Sequence, residues 1–424
     1  MHNNEIIGKL QTLNKYLSPE RPIRNFEYLR GRGKEYSTLS DEISYFSSIP
    51  FIYGNRGVGK TSLARTVAQM TSSADREHIY AACSPNSPML TIFHGIAQDL
   101  LNQAIQLHLI KTTETKAEYT ISLKPSIRFS IEQKHPQIKP FSDINEAVRT
   151  LRDIDSYYND SKTTIVIIDE LEEMKNDDKT LLAHLIKQIG DQEFNIRFIL
   201  VGIADSVHEL IGTHASVPRY ICEISLDPLS AQDLINIVNE AASAVEITID
   251  KNILYRIAII GNGYPHFAHL IGKSLLYEAV INYAKDITDD IYKRAITRAV
   301  EGSIEELANV YNTATQRRDD IYRYLIWSLA DCDCIDIRTD DLFDHCKELG
   351  KRHNWDIPQQ DILPKILQRL GTDSYGKIIK NTPKQGGSNE SRYRYKRFGN
   401  NLMRGHVRLM AELGGYQLGN ATTL

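Results

Sequence analysis

The chain has no long apolar run. Its longest, such as Phe198–Ala204, fall far below the roughly 20 residues that span a bilayer, so a membrane protein is not expected. The opening residues, MHNNEIIGKL, are too polar for a secretory signal, and a cytoplasmic location with reduced thiols is the expectation. Cysteine is scarce, 5 in 424 residues. Cys83 and Cys222 sit in apolar runs and read as core residues. Cys332, Cys334 and Cys346 lie near His345 and His353, the one place where zinc is conceivable, yet the Cys-x-x-Cys spacing is missing. Surplus positive charge is missing too. The net charge is −4, so the chain as a whole is no nucleic-acid coat, and any such site must be local. Solenoid-length repeats and long low-complexity tracts are absent. The rest is ordinary: 42% hydrophobic, 25% charged, and long enough for two or three domains with a sizeable core.

Against that background one stretch stands out, FIYGNRGVGKTSLARTV (51–67). It matches G-x-x-x-x-G-K-[ST] through Gly54, Gly59, Lys60 and Thr61, with Gly57 and Ser62 completing the loop. Glycines at this spacing let backbone N–H groups curl around phosphate oxygens. Lys60 neutralises the outer phosphates from an exposed loop, and the Thr61 hydroxyl ligates Mg²⁺. The apolar run before the loop reads as a buried strand, and Leu63, Val67 and Met70 recur behind it at helical spacing. Strand, loop and helix in that order place phosphate at a helix N-terminus.

A nucleotide-hydrolysing site needs a second, acidic strand. TTIVIIDELEEM supplies it: Ile165–Ile168 form a central strand that ends in Asp169 and Glu170. Asp169 can hold Mg²⁺ through water, and Glu170 can polarise the attacking water. A third strand, IRFILVGIADS, ends beside Asp205. That residue either faces the γ-phosphate beyond the strand end or caps a following helix.

This set resembles the AAA+-type P-loop ATPases, and most closely the branch shared by origin-recognition ATPases and STAND signalling ATPases. LRGRGKEYSTL (29–39) is similar to the segment that packs beside adenine, with Gly31, Arg32 and Glu35 matching. HASVPRYICEISLDPLS resembles the arginine-finger segment, and Arg219 is the matching residue. AQDLINIVNEAA then corresponds to the first lid helix, with Ser230 and Asp233 as a capping-box-like start. GNGYPHFAHLIG looks like the lid motif of STAND ATPases. The resemblance implies that Pro265 touches adenine. No arginine stands at the sensor position, where His266 or His269 is the nearest polar residue, and this favours a switch over rapid hydrolysis. The resemblance covers roughly residues 22–300. It implies ATP and Mg²⁺ as cofactors, and a homo-oligomer with ATP at subunit boundaries.

Two further regions complete the reading. AEYTISLKPSIRFSIEQK (117–134) alternates, with Tyr119, Ile121 and Leu123 in one row and Ile127, Phe129 and Ile131 in another. With KPS as the turn it reads as one inserted β-hairpin, either a partner- or DNA-contacting device or a structural flap. The C-terminal third reads as three helices followed by a hairpin, the winged-helix order. Thr339 is expected as an N-cap and Gly350 and Gly371 as helix ends. The region is locally basic, with Lys377, Lys380, Lys384, Arg392, Arg394, Lys396, Arg397, Arg404 and Arg408 against Asp373 and Glu390. Lys377, Lys380, Arg392, Arg394 and Lys396 are the candidate phosphate contacts. A charged edge strand or a regulatory wing are the alternatives.

The expected organisation is an N-terminal segment with the adenine-side motif (1–44), an α/β P-loop ATPase core with a parallel sheet (45–227), a helical lid (228–315) and a winged helix (316–424). The polar stretch Tyr311–Arg318 is the expected hinge. Three functions are open. One is an ATP-dependent switch that assembles and engages duplex DNA, as in initiation or transposition. The second is a STAND-type ATPase of a phage-defence or signalling complex that regulates a partner such as an effector, nuclease or transposase. The third is a static ATP-binding scaffold.

Overall fold

The computed structural model describes residues 2–114, 119–132, 135–160, 162–192, 194–203, 217–332, 334–358, 362–382 and 395–419. The chain divides into two compact bodies, Pro22–Asp227 and the combination of Met1–Arg21 with Pro228–Leu424. The expected 1–44 segment is therefore split, and the expected lid and C-terminal region share one body.

Helix α1 (His2–Tyr16) belongs to the second body. The first opens with α2 (Gly33–Tyr45), β1 (Ile49–Gly54), α3 (Lys60–Thr71), β2 (Ile79–Ala82) and α4 (Met89–Gln106). Short strands β3 (Thr112–Glu114), β4 (Tyr119–Ile121), β5 (Phe129–Glu132) and β6 (His135–Ile138) follow, then α5 (Ile144–Asp155), β7 (Thr164–Asp169), α6 (Asn176–Gln192), β8 (Ile196–Gly202) and β9 (Ile221–Leu226). Five strands make a parallel sheet in the order β2-β7-β8-β1-β9. The chain reads this way because β7, TIVIID, is buried along its whole length. An unbroken apolar run of that kind suits a parallel sheet covered on both faces. Each fully buried Ile or Val there contributes about 2 kcal/mol over an exposed one. Buried carboxylates and guanidiniums fix the strand starts. Asp155 accepts from the backbone N–H of Asn195 (3.1 Å) and Ile196 (2.8 Å). Arg76 donates to the Lys162 carbonyl and to Thr164.

The insertion differs from the expected single hairpin. β4 pairs antiparallel with β3, and β5 pairs antiparallel with β6. KPS does turn, with Ile127 N donating to Lys124 O at 3.0 Å, but the strands on either side of it find other partners. The physical reason lies on α4. Gln98 bonds the Pro136 carbonyl and the Ile138 N–H, and His94 Nε2 lies 2.7 Å from the Ile138 carbonyl. This backbone stitching holds β6 on α4 and presents it to β5, while Ile127 and Ile138 join the core.

In the second body, α7 (Ala231–Ala244), α8 (Lys251–Gly261), α9 (Pro265–Ile281) and α10 (Asp289–Glu301) form a helical cluster, and α1 packs on α7 and α9. Ser230 caps α7 by accepting from Asp233 N at 3.1 Å. Next come α11 (Glu305–Thr315), α12 (Asp320–Asp331), β10 (Ile337–Arg338), α13 (Thr339–His353), α14 (Leu363–Leu370), β11 (Ile379–Thr382), β12 (Tyr395–Phe398) and α15 (Met403–Leu413). The sheet order is β10-β12-β11, antiparallel throughout. Three local expectations change. Thr339 is the first residue of α13 rather than its cap, and α13 runs through Gly350 to a left-handed Asn354 (φ 54°). Gly350 faces Ile357, and a Cβ there would lie 2.5 Å from that side chain, so close packing rather than helix termination explains this glycine. Tyr311 is no hinge residue: it is 5% exposed and accepts from Trp327 Nε1 at 3.0 Å.

Candidate functional site

Residues 55–59 connect β1 to α3, and the glycine-rich motif runs from the last residue of β1 into the first turn of α3. Gly54 has φ +153°, and a Cβ there would stand 2.3 Å from the Leu226 carbonyl oxygen on neighbouring β9. Any larger residue would push β1 and β9 apart. Gly59 occupies the N-cap of α3 at φ +100°, which aims the first N–H groups of the helix into the loop. Lys60 is not the exposed loop lysine expected from the motif. It is 8% exposed, and its Nζ donates to the carbonyls of Gly54 (3.0 Å) and Asn55 (3.1 Å). Burial pulls its pKa below the ordinary lysine range. A desolvated ammonium beside unpaired helix N–H groups suits an anion. Gly57 lies at φ +87° in the same loop.

The carboxylate opposite comes from the tip of β7. Asp169 is 3% exposed. Its Oδ2 accepts from Thr61 Oγ1 (2.7 Å) and from Tyr80 OH on β2 (3.1 Å), and its Oδ1 accepts from Glu170 N (2.8 Å). Thr61 and Asp169 stand together as a hard-oxygen pair suited to Mg²⁺. Glu170 is exposed and takes a left-handed conformation, φ 60° and ψ 40°, which for a non-glycine residue is strained. Its pKa is raised, first by partial loss of hydration and then by the charges of Asp169, Glu172 and Glu173. A carboxylate with raised proton affinity is a better base. Burial and Asp169 push the Tyr80 phenol up to about 12, so it stays a donor.

Other sequence candidates fall as follows. Arg32 is buried and donates to the Val58 carbonyl (3.0 Å), the Asp227 carbonyl (2.6 Å) and Glu35 (3.3 Å). It ties the segment before α2 to the loop and to the end of β9. Ser62 accepts from Ile23 N at 3.2 Å, and Thr66 donates to the Ile23 carbonyl. The Ser62 hydroxyl thus holds a neighbouring segment of chain. Arg219 ends the short turn Val217–Arg219 and is exposed. Asp205 lies outside the described residues.

Pro265 and His266 belong to the second body. Pro265 begins α9. Gly263 before it (φ +82°) presses on Pro228, which a Cβ would meet at 2.5 Å. His266 is largely buried with Nε2 unpartnered, and burial lowers its pKa. His269 is 4% exposed and its Nδ1 accepts from Ser18 N.

The basic candidates also separate. Arg392, Arg394 and Lys384 lie outside the described residues. Lys377, Lys380 and Lys396 line a cleft of about 590 Å³ between α14 and β11–β12, with Thr339, Gln368 and Asn381. Lys377 pairs with Asp373 at 2.7 Å, and Lys396 Nζ bonds Asn381. Arg397 bonds both oxygens of Asp336, an acid that the local charge tally leaves out. Arg404 and Arg408 are not surface charges at all. They are 5% and 2% exposed and donate to backbone carbonyls. No sequence motif marks Tyr80 or Gln368. Tyr80 sits in a short strand that matches no motif. Gln368 is visible only as an exposed position on a helix whose other face is apolar. At the zinc candidate, His345 bonds Asp331 at 2.8 Å. Among the described residues no group of three His, Cys, Asp or Glu is placed to hold a metal.

The sequence profile of the AAA ATPase domain matches residues 28–199, the span from the segment before α2 through the loop, both acidic residues and most of β8. Residues 28–199 are an AAA ATPase domain. Its fold is that of an α/β P-loop NTPase. No curated protein matches the chain in sequence. Among solved structures the chain is similar to the ORC1 protein of Aeropyrum pernix, determined in complex with DNA (15% identity, 91% of this chain and 94% of that one, TM-score 0.45). It is also similar to Cdc6p of Pyrobaculum aerophilum (15%, 94% and 98%, TM-score 0.42) and to a point mutant of RuvB from Thermotoga maritima (15%, 86% and 94%, TM-score 0.42). At such identity and superposition none of them says what the AAA ATPase domain of this chain acts on. Among the described residues no helix is long and apolar enough to cross a membrane.

Proposed function

We propose that the protein is an ATP-dependent switch that hydrolyses ATP slowly and uses the nucleotide state to control its grip on duplex DNA. The observation that carries the first half is the bond from Thr61 Oγ1 to Asp169 Oδ2 beside the glycine loop, because it joins the two halves of a metal–nucleotide site. The loop N–H groups and Lys60 would hold the β- and γ-phosphates. Mg²⁺, held by Thr61 and through water by Asp169, would neutralise charge on those phosphates. Glu170 orients a water and accepts its proton. Arg219 is the proposed finger, acting on nucleotide bound by a second copy, so that full activity needs a homo-oligomer.

The DNA half is supported by the cleft under α14. Lys380 is exposed there, with Lys377, Lys396, Thr339 and Gln368 around it. The helix–strand–helix–helix–strand–strand order of α12, β10, α13, α14, β11 and β12 suits a winged helix. The test is duplex-DNA binding at two salt concentrations, with and without ATP, for the wild type and a Lys380→Glu/Lys396→Glu variant. Each lost phosphate contact should lower the log–log salt slope by about 0.9. A wild type that binds no duplex at low salt in any nucleotide state overturns this half.

A second reading has its own support. Lys377 and Arg397 are already paired with Asp373 and Asp336, which reduces the charge offered to phosphate. The same face would then dock a partner protein in a defence or signalling complex, and DNA binding would be absent while turnover persists.

A further inference from the structure

β2 lies at the edge of the sheet and carries none of the recognised nucleotide motifs. Its register with β7 sets Tyr80 opposite Ile167 and Ala82 opposite Asp169. Alternation along both strands puts Tyr80, Ala82, Ile167 and Asp169 on one face. Opposite Asp169 the residue is only alanine, so the Tyr80 ring can run past it diagonally. Its hydroxyl ends 3.1 Å from Asp169 Oδ2. The same oxygen accepts from Thr61 at 2.7 Å. Thr61 and Arg65 sit one turn apart on α3, and the Arg65 guanidinium lies 3.7 Å over the centre of the Tyr80 ring. The phenol is thus held between the sheet and a cation from the helix that supplies Thr61.

We infer that Tyr80 is a positioning residue for Asp169, the carboxylate that would hold Mg²⁺ through water. The Glu170 N–H alone leaves Asp169 free to rock about its Cβ–Cγ bond. Donors on Oδ2 from two separate elements stop that rotation and leave the remaining lone pairs aimed in one direction. A carboxylate fixed before the cation arrives loses less orientational freedom on binding it. Arg65 acts one step further out by keeping the ring in place. The inference rests on the proposed role of Asp169 in holding Mg²⁺, and the experiment separates the two.

The test is Tyr80→Phe, which keeps the ring under Arg65 and removes only the hydroxyl. A fluorescent ATP analogue is titrated onto the purified full chain, first in EDTA and then across a Mg²⁺ series. Paramagnetic Mn²⁺ binding is read in parallel. Tyr80→Phe should leave metal-free nucleotide affinity unchanged and raise the apparent Mg²⁺ and Mn²⁺ dissociation constants by up to about tenfold, the low end of the cost of losing an outer-shell partner at a metal site. Turnover should recover at high Mg²⁺. Arg65→Gln should shift the metal titration the same way by a smaller factor, and it keeps the hypothesis testable if Tyr80→Phe unfolds. Asp169→Asn is the control for the underlying site. If Asp169→Asn weakens metal binding and Tyr80→Phe does not, the inference about Tyr80 is wrong and the site stands. If neither variant moves the metal titration, the site assignment itself is overturned.

Discussion

At the residue scale the loop is organised around its buried lysine. Lys60 bridges two carbonyls across the turn, so it holds the loop open as well as offering charge. Lys60→Ala should abolish ATP binding by calorimetry. It should also lower the unfolding free energy by about 1 kcal/mol, because the Gly54 and Asn55 carbonyls lose their donor. Unchanged ATP affinity in a folded Lys60→Ala protein would remove the loop from the nucleotide site. Glu170 makes the complementary case. Glu170→Gln preserves shape and removes the base, so ATP binding should persist while turnover falls by roughly 10²-fold or more, the share of a positioned base. Equal turnover in the two proteins would assign the base elsewhere.

At the element scale α15 is the unusual piece. A helix that carries Arg404, His406 and Arg408 suggests a solvated surface, yet Met403–Leu409 are buried throughout. Arg408 explains the tolerance. Its Nε donates to the Ala330 carbonyl at 2.8 Å and its Nη1 to the Ile259 carbonyl at 2.7 Å, so one guanidinium serves the C-terminal ends of both α12 and α8. Arg256 adds a buried pair with Glu412 at 2.6 Å. Arg408→Met should therefore destabilise the second body by about 3 kcal/mol, since two buried carbonyls are left without donors. Chemical unfolding would show it, and a change under about 1 kcal/mol would mean that water takes over both carbonyls.

At the scale of the whole molecule, charge and assembly each lead to a prediction. His406 is fully buried, neither ring nitrogen has a partner, and burial lowers its pKa to about 4; His269 is likewise lowered to about 4. Unfolded histidine titrates near about 6.5. Between those values the unfolded chain binds more protons, so stability is intact above about 6.5 and falls as the pH drops towards about 4. His406→Phe should flatten part of that slope in a pH series of melting temperatures, and an unchanged slope would place the titration elsewhere. For assembly, Arg219→Ala and Glu170→Gln should each impair turnover alone. Mixed, they should regain part of it, because some subunit boundaries then carry both an intact base and an intact finger. Strictly monomeric ATP-bound protein with no rescue would make Arg219 a structural residue.

The sequence by itself determined the glycine-rich loop and the acidic strand tip opposite it. Glycine spacing, a lysine and a hydroxyl at a helix start, and a strand of uninterrupted apolar residues ending in two acids are local patterns, and local patterns follow from backbone sterics and burial. It also placed α3, α4, α7 and α12–α14, because apolar periodicity and caps such as Ser230 act over a few residues. What only the tertiary structure decided is pairing across distance. Which strands of 112–138 join depends on Gln98 and His94 of a helix upstream. Whether Arg404, Arg408 and Lys60 are surface charges or buried donors depends on which carbonyls the fold brings to them. The bond from Tyr80 to Asp169 depends on a register between two strands far apart in the chain. Burial and partner choice are properties of the packed molecule, and a local pattern carries neither.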